Sequence, residues 1–365
     1  MRNAAIARIE AICDRIYAAA LSLPLLIVAL MLAGLFIGSA AALERTFPPE
    51  TTLASCGKDL RTTLTADEKA TINEVKNKTI AGEGLFWRIE KEGLEPSHLL
   101  GTIHLPDPRV VALPGKVANA IDNADRTILE IAEIADPSAM AKIMFSMPDI
   151  MMLSGDKTLS SLLSDDQYET VSKGLAKKSI PIATMNKMQP WFISVSMAMP
   201  DCAALPKNDP SAALDPTLAK RAVAAGQAVI GLETVEEQLS VLASLPLETQ
   251  IAQLVSAMEY VDAVNDMMET MIGLYEDEEI GAIMPTLQAL FPDAEALVGG
   301  NAAFAAFEEA ILDKRNLSMT ERMIPMLEEG NSFVAVGALH LIGETGIVNS
   351  LREEGWTVTR LDRGE

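Results

Sequence analysis

SFVAVGALHLIG, residues 332–343, is an apolar run that contains a histidine near its end, and it predicts a buried β-strand. SHLLGTIHLPD, residues 97–107, has the same design far earlier in the chain. Each run places a glycine three residues before its histidine, as Gly337 and His340 in one and Gly101 and His104 in the other. Because the chain has only 3 histidines, this repetition predicts that two of them share one site.

Two further apolar runs end in a glutamate. RTILE ends at Glu130 and QAVIGLE ends at Glu233. Ligands of open α/β sheets bind at the carboxyl ends of the strands, so adjacent strands of this kind would bring two imidazoles and two carboxylates together. Such a set suits a catalytic divalent ion with a position left for water. A lone histidine at a strand end is commonly structural, and His98, which lacks a paired motif, is interpreted as a surface or packing residue.

The order of elements predicts an α/β (α+β) fold with a single domain. Strand patterns occur at both ends and in the middle of the chain, so a mixed central β-sheet is expected, completed by the C-terminal strands. Residues 136–210 and 235–326 have mostly helical patterns, and we interpret them as an inserted cap or lid. The first of these segments is rich in methionine, which is typical of an adaptable core or groove. Two independent domains are the alternative.

The N-terminus has a different character from the rest of the chain. Residues 16–43 carry no charge and end in small residues, so residues 1–43 are predicted to be a signal peptide or an N-terminal membrane anchor. Residues 44–83 are a leading segment with a helix. Either form of export places the remainder in the periplasm or on the outer face of the inner membrane. In an oxidising compartment Cys56 and Cys202 are expected to form a disulfide, with two buried free thiols as the alternative.

Composition and motifs exclude several classes of function. The formal net charge of −22 argues against a nucleic-acid partner. The hydrophobic fraction of 49% indicates a globular chain with a sizeable core. The sequence contains no H-E-x-x-H zinc motif, no G-x-S-x-G elbow and no phosphate-binding glycine pattern. The two G-x-x-H strands therefore carry the functional prediction.

Several motifs occur in an order that resembles the TraB/GumN (pheromone-shutdown/Tiki-like) family. They are LLGTIHLPD, ILEIAE, KMQPWF, GLETVEEQ and KRNLSMTER, followed by the C-terminal G-x-x-H strand. The resemblance covers residues 84–361, which we take as the family domain. The positions that match the family pattern are Gly101, His104, Glu130, Gly231, Glu233, Glu237, Gln238, Arg315, Asn316, Gly337 and His340. The family often has Glu-Leu-Asp where this chain has Glu130-Ile131-Ala132.

The resemblance implies a metal-dependent hydrolase, and in the Tiki branch a peptidase acting on peptide or protein substrates. In this interpretation His104 and His340 bind the metal, which would be Zn, Mn or Co. Glu130 is a third ligand or the general base, and Glu233 takes the other carboxylate role. Arg315 holds a substrate carboxylate or the oxyanion, or else forms a salt bridge to an acidic helix face.

The remaining candidate residues have supporting roles. Gly101, Gly337, Gln238 and Asn316 are expected to contact the substrate or to support the ligands. Gln238 and Asp215 are interpreted as groups that support the ligands or as helix caps, and for Asp215 the cap is favoured because LDPT opens a helix.

Two other functions stay open. The missing aspartate after Ile131 would suit a non-catalytic protein of the envelope that binds or sequesters a peptide or an iron-containing ligand. The apolar N-terminus and the methionine-rich helices would suit a membrane-tethered interaction protein. Metal-dependent cleavage of peptides would exclude the first alternative. A phenotype that is unchanged when both histidines are replaced would favour the second.

Overall fold

The computed structural model describes residues 57–200, 213–292 and 309–363. The predicted signal peptide or anchor lies outside these ranges, and so do both cysteines of the predicted disulfide. In the ranges that are described, no helix combines the length and the apolar character needed to cross a bilayer.

Strands from both ends of the chain form one mixed sheet within the described residues. They are β1 (Phe86–Glu90), β2 (Ser97–Thr102), β3 (Arg126–Ile131), β4 (Ala228–Glu233), β5 (Ser332–Gly337) and β6 (Thr357–Leu361). Their spatial order is β4-β3-β5-β2-β1-β6. The neighbours β4, β3, β5 and β2 are parallel, whereas β1 pairs antiparallel with both β2 and β6. The predicted mixed α/β sheet, completed by the C-terminal strands, is confirmed.

Strand β5 lies in the middle of this sheet because its residues suit burial on both faces. Phe333 and Ala335 pack into the apolar core on one face, and Val334 and Val336 pack into the core on the other. A central parallel strand covered on both faces reads as a continuous apolar run, since successive side chains alternate between the faces. The stretch 332–337 therefore fixes the centre of the fold.

The helices cover both faces of the sheet and build a second core beside it. Before β3 they are α1 (Ala66–Lys78), α2 (Pro108–Val111) and α3 (Gly115–Asp122). Between β3 and β4 they are α4 (Pro137–Ser146), α5 (Pro148–Met151), α6 (Leu159–Leu162), α7 (Asp165–Lys177), α8 (Ile182–Met185), α9 (Pro190–Met197) and α10 (Leu214–Ala224). After β4 they are α11 (Val235–Ala243), α12 (Leu247–Glu259), α13 (Val264–Glu276), α14 (Ile283–Leu290), α15 (Lys314–Leu327) and α16 (Ile347–Glu353).

Shorter helical turns connect these elements. The 3₁₀ turns are Leu60–Thr63, Ala132–Ala135, Val261–Ala263, Ile280–Ala282 and Ala338–His340, and a π-helical turn, Glu309–Asp313, precedes α15.

The methionine-rich segment forms its own apolar core rather than extending the core of the sheet. Helices α7 and α9 pack against α12, so the helical insertions before and after β4 meet in this second core. Its buried methionines are Met140, Met147, Met151, Met185, Met188, Met197 and Met258. Flexible thioether side chains fill irregular gaps between short helices, which accounts for the composition. The role of this subdomain as a lid stays a prediction.

Candidate functional site

The four residues predicted to share a site lie at one edge of the sheet. His104 follows β2, His340 follows β5, Glu130 is the penultimate residue of β3, and Glu233 ends β4. Since these four strands are parallel neighbours, their carboxyl ends meet at the same edge. The structure therefore brings together residues from distant parts of the chain. His98 lies at the other end of β2, where its ring stacks on Phe86.

The strands are shorter than the sequence predicted. We expected β2 and β5 to run to the histidines, but β2 ends at Thr102, and β5 ends at Gly337 before the 3₁₀ turn that contains His340. This turn packs directly on Gly101, where a Cβ would lie 2.7 Å from Leu341 Cδ1 and 3.1 Å from Ala338 Cα. The glycine of the first motif is therefore required by the close approach of the second motif.

The glycine of the second motif keeps a small space open at the centre of the site. An ideal Cβ on Gly337 would lie 3.2 Å from Glu130 Oε1, 3.4 Å from His340 Cδ2 and 3.7 Å from His104 Nε2. Both imidazoles and one carboxylate thus surround a single point that any larger residue would fill. The two motifs face each other across this point.

His104 is held by a buried carboxylate. Its Nδ1 lies 2.7 Å from Asp215 Oδ2, and the other oxygen of Asp215 accepts a hydrogen bond of 2.8 Å from Thr102. Asp215 raises the pKa of His104 to about 9, against the effect of desolvation. The side chain of His104 is 62% exposed, so its Nε2 edge is open to solvent.

Of the two roles that the sequence left open for Asp215, the structure shows support of His104 and not the favoured helix cap. Helix α10 has Ala213 at its N-cap position and no side-chain cap, and Asp215 lies within the first turn. Its side chain points to the end of β2 instead of back to the helix amides because Thr102 and His104 supply donors there. The contact with His104 joins residues 111 positions apart, and no local pattern in the sequence indicated it.

His340 is held in the same manner by a neutral partner. Its Nδ1 lies 2.6 Å from Asn316 Oδ1 on α15, an acceptor that places the proton of the neutral ring on Nδ1. Burial lowers the pKa of His340 to about 4, because little solvent reaches the ring to stabilise its charged form. The Nε2 of His340 therefore carries a lone pair at neutral pH, 3.8 Å from Glu130 Oε1.

Both oxygens of the Glu130 carboxylate accept hydrogen bonds. Its Oε1 accepts a 2.6 Å hydrogen bond from the Gly337 amide, and its Oε2 accepts bonds of 2.9 Å from both Gln238 and Arg315. Burial alone would raise the pKa of Glu130. The nearby His340, His104, Arg315 and Gly337 amide outweigh burial and lower this pKa to about 2. Glu130 is ionised throughout the physiological range.

Arg315 joins the two strand-end glutamates. It contacts Glu233 through Nε at 2.9 and 3.1 Å and through Nη2 at 2.6 Å, and it contacts Glu130 through Nη2. Gln238 donates to the same two carboxylates, at 3.0 Å to Glu233. The partners of Arg315 are thus carboxylates of the site rather than an acidic helix face. Glu237, from the same motif, instead caps α11 and pairs with Arg322 outside the site.

The two imidazoles at this edge are suitable ligands for a divalent metal. A ligating histidine usually donates its other ring N–H to a carboxylate or carbonyl-type oxygen, and Asp215 and Asn316 do this for His104 and His340. In the described part of the chain, no group of three or more His, Cys, Asp or Glu side chains is arranged to hold a metal ion. The donors that this edge offers to an ion are the two imidazoles, with the Glu130 carboxylate beside them.

A cavity of about 260 Å³ opens beside these groups. Its polar end contains His104, Glu130, Asp215 and Gln238, and its other walls are Leu129, Ile131, Ile134, Met140, Ala213 and Pro216.

Comparison with known proteins gives one family. The model of the TraB/PrgY/gumN family matches residues 85–360. An uncharacterized protein of Shigella flexneri, YbaP, is 23% identical over 260 residues, which are 71% of this chain and 89% of the relative. Metalloprotease TIKI2 of Danio rerio is 22% identical over 318 residues, which cover 75% of this chain and 60% of the relative. No solved structure matches the chain significantly.

Proposed function

Because this chain belongs to the TraB/PrgY/gumN family, we propose that it is an exported metal-dependent hydrolase that cleaves peptide bonds. One observation carries the proposal: His104, His340 and Glu130 surround the point that a side chain on Gly337 would fill. Relatives named metalloproteases support a peptide or protein as the substrate.

His104 and His340 would hold the metal through their Nε2 atoms, since Asp215 and Asn316 occupy both Nδ1 atoms. Zinc, manganese and cobalt all accept imidazole nitrogen. An ion held there would lower the pKa of a bound water, to about 7 in the case of zinc, and would polarise the carbonyl group of a substrate.

Glu130 is the proton-transfer group of the proposed reaction. Arg315 and Gln238 hold its Oε2, whereas Oε1 has the single amide donor of Gly337 and faces the histidines. Oε1 is therefore the atom that accepts a proton from the attacking water and returns it to the leaving amine.

Arg315, Gln238 and Glu233 orient Glu130. The Arg315 Nε and Nη2 atoms donate to carboxylates and its Nη1 donates to the Ile311 carbonyl at 3.2 Å. These contacts favour positioning of the carboxylates over direct contact with an oxyanion. Arg315 favours the ionised form of Glu130 at its buried position, and Glu233 holds the Arg315 guanidinium in place through the second ion pair.

The location of the protein follows from the N-terminus. Residues 1–43 act in this proposal as a signal peptide or as a membrane anchor, and the family domain functions in the periplasm or on the outer face of the inner membrane. The disulfide between Cys56 and Cys202 belongs to the same proposal, because that compartment is oxidising.

A non-catalytic binding protein is the second candidate. It is favoured by the lack of a three-ligand metal group among the described residues and by Ala132 at the family's aspartate position. In that case the same edge of the sheet sequesters a peptide or an iron-containing ligand without turnover.

Cleavage of a peptide library by the purified full chain tests the proposal. We expect products, identified by mass spectrometry, when Zn, Mn or Co is present, and no products after chelation or in Glu130→Gln. Glu237→Gln is the matched control, because Glu237 pairs with Arg322 outside the site and should keep full activity. Cleavage that survives chelation would refute metal dependence. Binding of peptides without any cleavage would favour the second candidate.

A further inference from the structure

The cavity beside the site has apolar walls that play no part in the proposed reaction. Groups of the site form only one end of it, and the remaining walls are apolar. Ile131 is the residue directly after Glu130, and Ile134 lies in the 3₁₀ turn Ala132–Ala135 that follows β3. The apolar wall therefore begins one residue from the carboxylate, close enough for a group bound there to belong to the residue at the reacting bond.

The size of the cavity suits one large side chain. A closed apolar cavity of about 150 Å³ is enough to hold a benzene molecule. The volume here is about 260 Å³, so one side chain of the size of leucine, methionine or phenylalanine fits with part of its backbone. His104, one of the lining residues, has a side chain that is 62% exposed.

The charges around the cavity select against a charged occupant. Among the described residues of the lining, His104 is the only one that carries a positive charge, and this charge is already paired with Asp215, so an acidic side chain would be buried without a free cation. The two carboxylates of the lining already have partners, since Thr102 and His104 bind Asp215, and Arg315, Gln238 and the Gly337 amide bind Glu130. A basic side chain would therefore gain little in return for its lost hydration.

We propose that this cavity receives a large apolar side chain of the residue next to the cleaved bond, so that the substrates are peptides with leucine, methionine or phenylalanine at that position. Ile131, Ile134 and Met140 are the residues that determine this specificity. The inference rests on the proposed function for the reacting bond, but the selectivity of the cavity is a property of binding and is measured without turnover.

The test compares peptides that differ at one position. Blocked, labelled peptides of glycine and serine carry a single leucine, phenylalanine, alanine, glutamate or lysine, and their binding to the full chain after chelation is followed by fluorescence anisotropy. Burial of a leucine-sized side chain predicts affinity at least about tenfold higher for leucine than for glutamate or lysine. Ile134→Lys should abolish this preference, because it places an ammonium group in the apolar wall.

Phe145→Lys is the matched control. Phe145 lies on α4, is 52% exposed and does not line the cavity, so the same substitution there should leave the preference intact. If circular dichroism shows that Ile134→Lys is unfolded, Ile134→Trp narrows the cavity without adding a charge. The tryptophan variant should weaken binding of the leucine peptide and spare the alanine peptide.

Equal affinities for all peptides, no measurable binding, or a preference that survives in a folded Ile134 variant would each overturn the inference. The proposed function is judged separately after metal is restored. A preference for leucine without cleavage would support the cavity and refute the hydrolase. Cleavage with no preference would support the hydrolase and refute the cavity.

Discussion

Replacement of Asp215 by asparagine isolates the charge that acts on His104. An asparagine at this position keeps an oxygen for the His104 Nδ1 proton and directs its amide toward the Thr102 hydroxyl, so the geometry of both contacts is retained. Only the negative charge is lost. Because Asp215 is the main cause of the raised His104 pKa, the substitution should lower that pKa.

The size of this change follows from the distance and the exposure of the pair. Two unit charges about 4 Å apart interact by about 4 kcal/mol near a protein surface and by about 1 kcal/mol in water. His104 is 62% exposed, which screens the pair and gives a value of about 2 kcal/mol. At about 1.4 kcal/mol per pKa unit, we expect the His104 pKa to fall from about 9 to roughly 7–8.

The assay is an NMR titration of the histidine rings in the metal-free protein. The chain has only 3 histidines, so the His104 resonance is assigned by a single substitution. Asp122→Asn is the control, because Asp122 forms an ion pair with Arg221 and contacts no histidine. An unchanged His104 midpoint in Asp215→Asn, or a wild-type midpoint near the ordinary value of 6.5, would refute the electrostatic account of this pair.

Three further predictions concern the centre of the site. Gly337→Ala should keep the fold, since the three atoms nearest to the new Cβ belong to the side chains of Glu130, His340 and His104, but it should weaken metal binding at least about tenfold, measured by titration with the ion. Arg315→Met should lower the free energy of unfolding by about 3–5 kcal/mol in urea denaturation, because it leaves Glu130 and Glu233 buried without their cation. The free energy of unfolding should also fall as the pH drops from 6.5 to 4, by up to about 3 kcal/mol. In that window the unfolded chain protonates His340 and the folded chain does not, so His340→Asn should remove this part of the pH dependence.

Each of these three predictions has a control variant and an outcome that would contradict it. Gly101→Ala should destabilise the fold by about 1–3 kcal/mol, because its Cβ would collide with Leu341 and the Ala338 backbone, and equal effects of the two glycine variants would contradict the distinction. Adding Glu233→Gln to Arg315→Met should recover part of the lost stability, and no recovery would contradict a charge effect. A wild-type acid transition identical to that of His340→Asn would contradict the buried neutral imidazole.

The sheet could be predicted from the sequence because each strand is marked by a short pattern of neighbouring residues. Residues 332–337 are apolar at every side chain between Ser332 and Gly337, which is typical of a strand buried on both faces, and the paired G-x-x-H motifs placed β2 and β5 at one edge. The family resemblance is confirmed by the match to residues 85–360. The helix predicted within residues 44–83 is α1, and the structure shows a capping box of Thr65 and Glu68 at its start.

The partners of the site residues depend on contacts that no local pattern contains. Asp215 lies in a segment that reads as the start of a helix, and only the folded chain brings its carboxylate to His104. Arg315 is likewise far from Glu130 and Glu233 along the chain, although the three residues form one buried ion-pair cluster in the fold. The predicted ends of β3 and β4 were correct to within one residue, whereas β2 and β5 end two and three residues earlier than predicted. The 3₁₀ turn at His340 that ends β5 packs against Gly101, which no local pattern shows.

The metal content of the full chain tests the central claim most directly. The wild-type protein and the His104→Ala, His340→Ala double variant are supplied with Zn, Mn or Co, desalted and analysed by mass spectrometry of the elements. His98→Ala serves as the control, because it also removes histidine but lies at the other end of β2. We predict bound metal in the wild type and in His98→Ala and none above background in the double variant. Equal metal content in all three proteins would contradict a metal site built on His104 and His340.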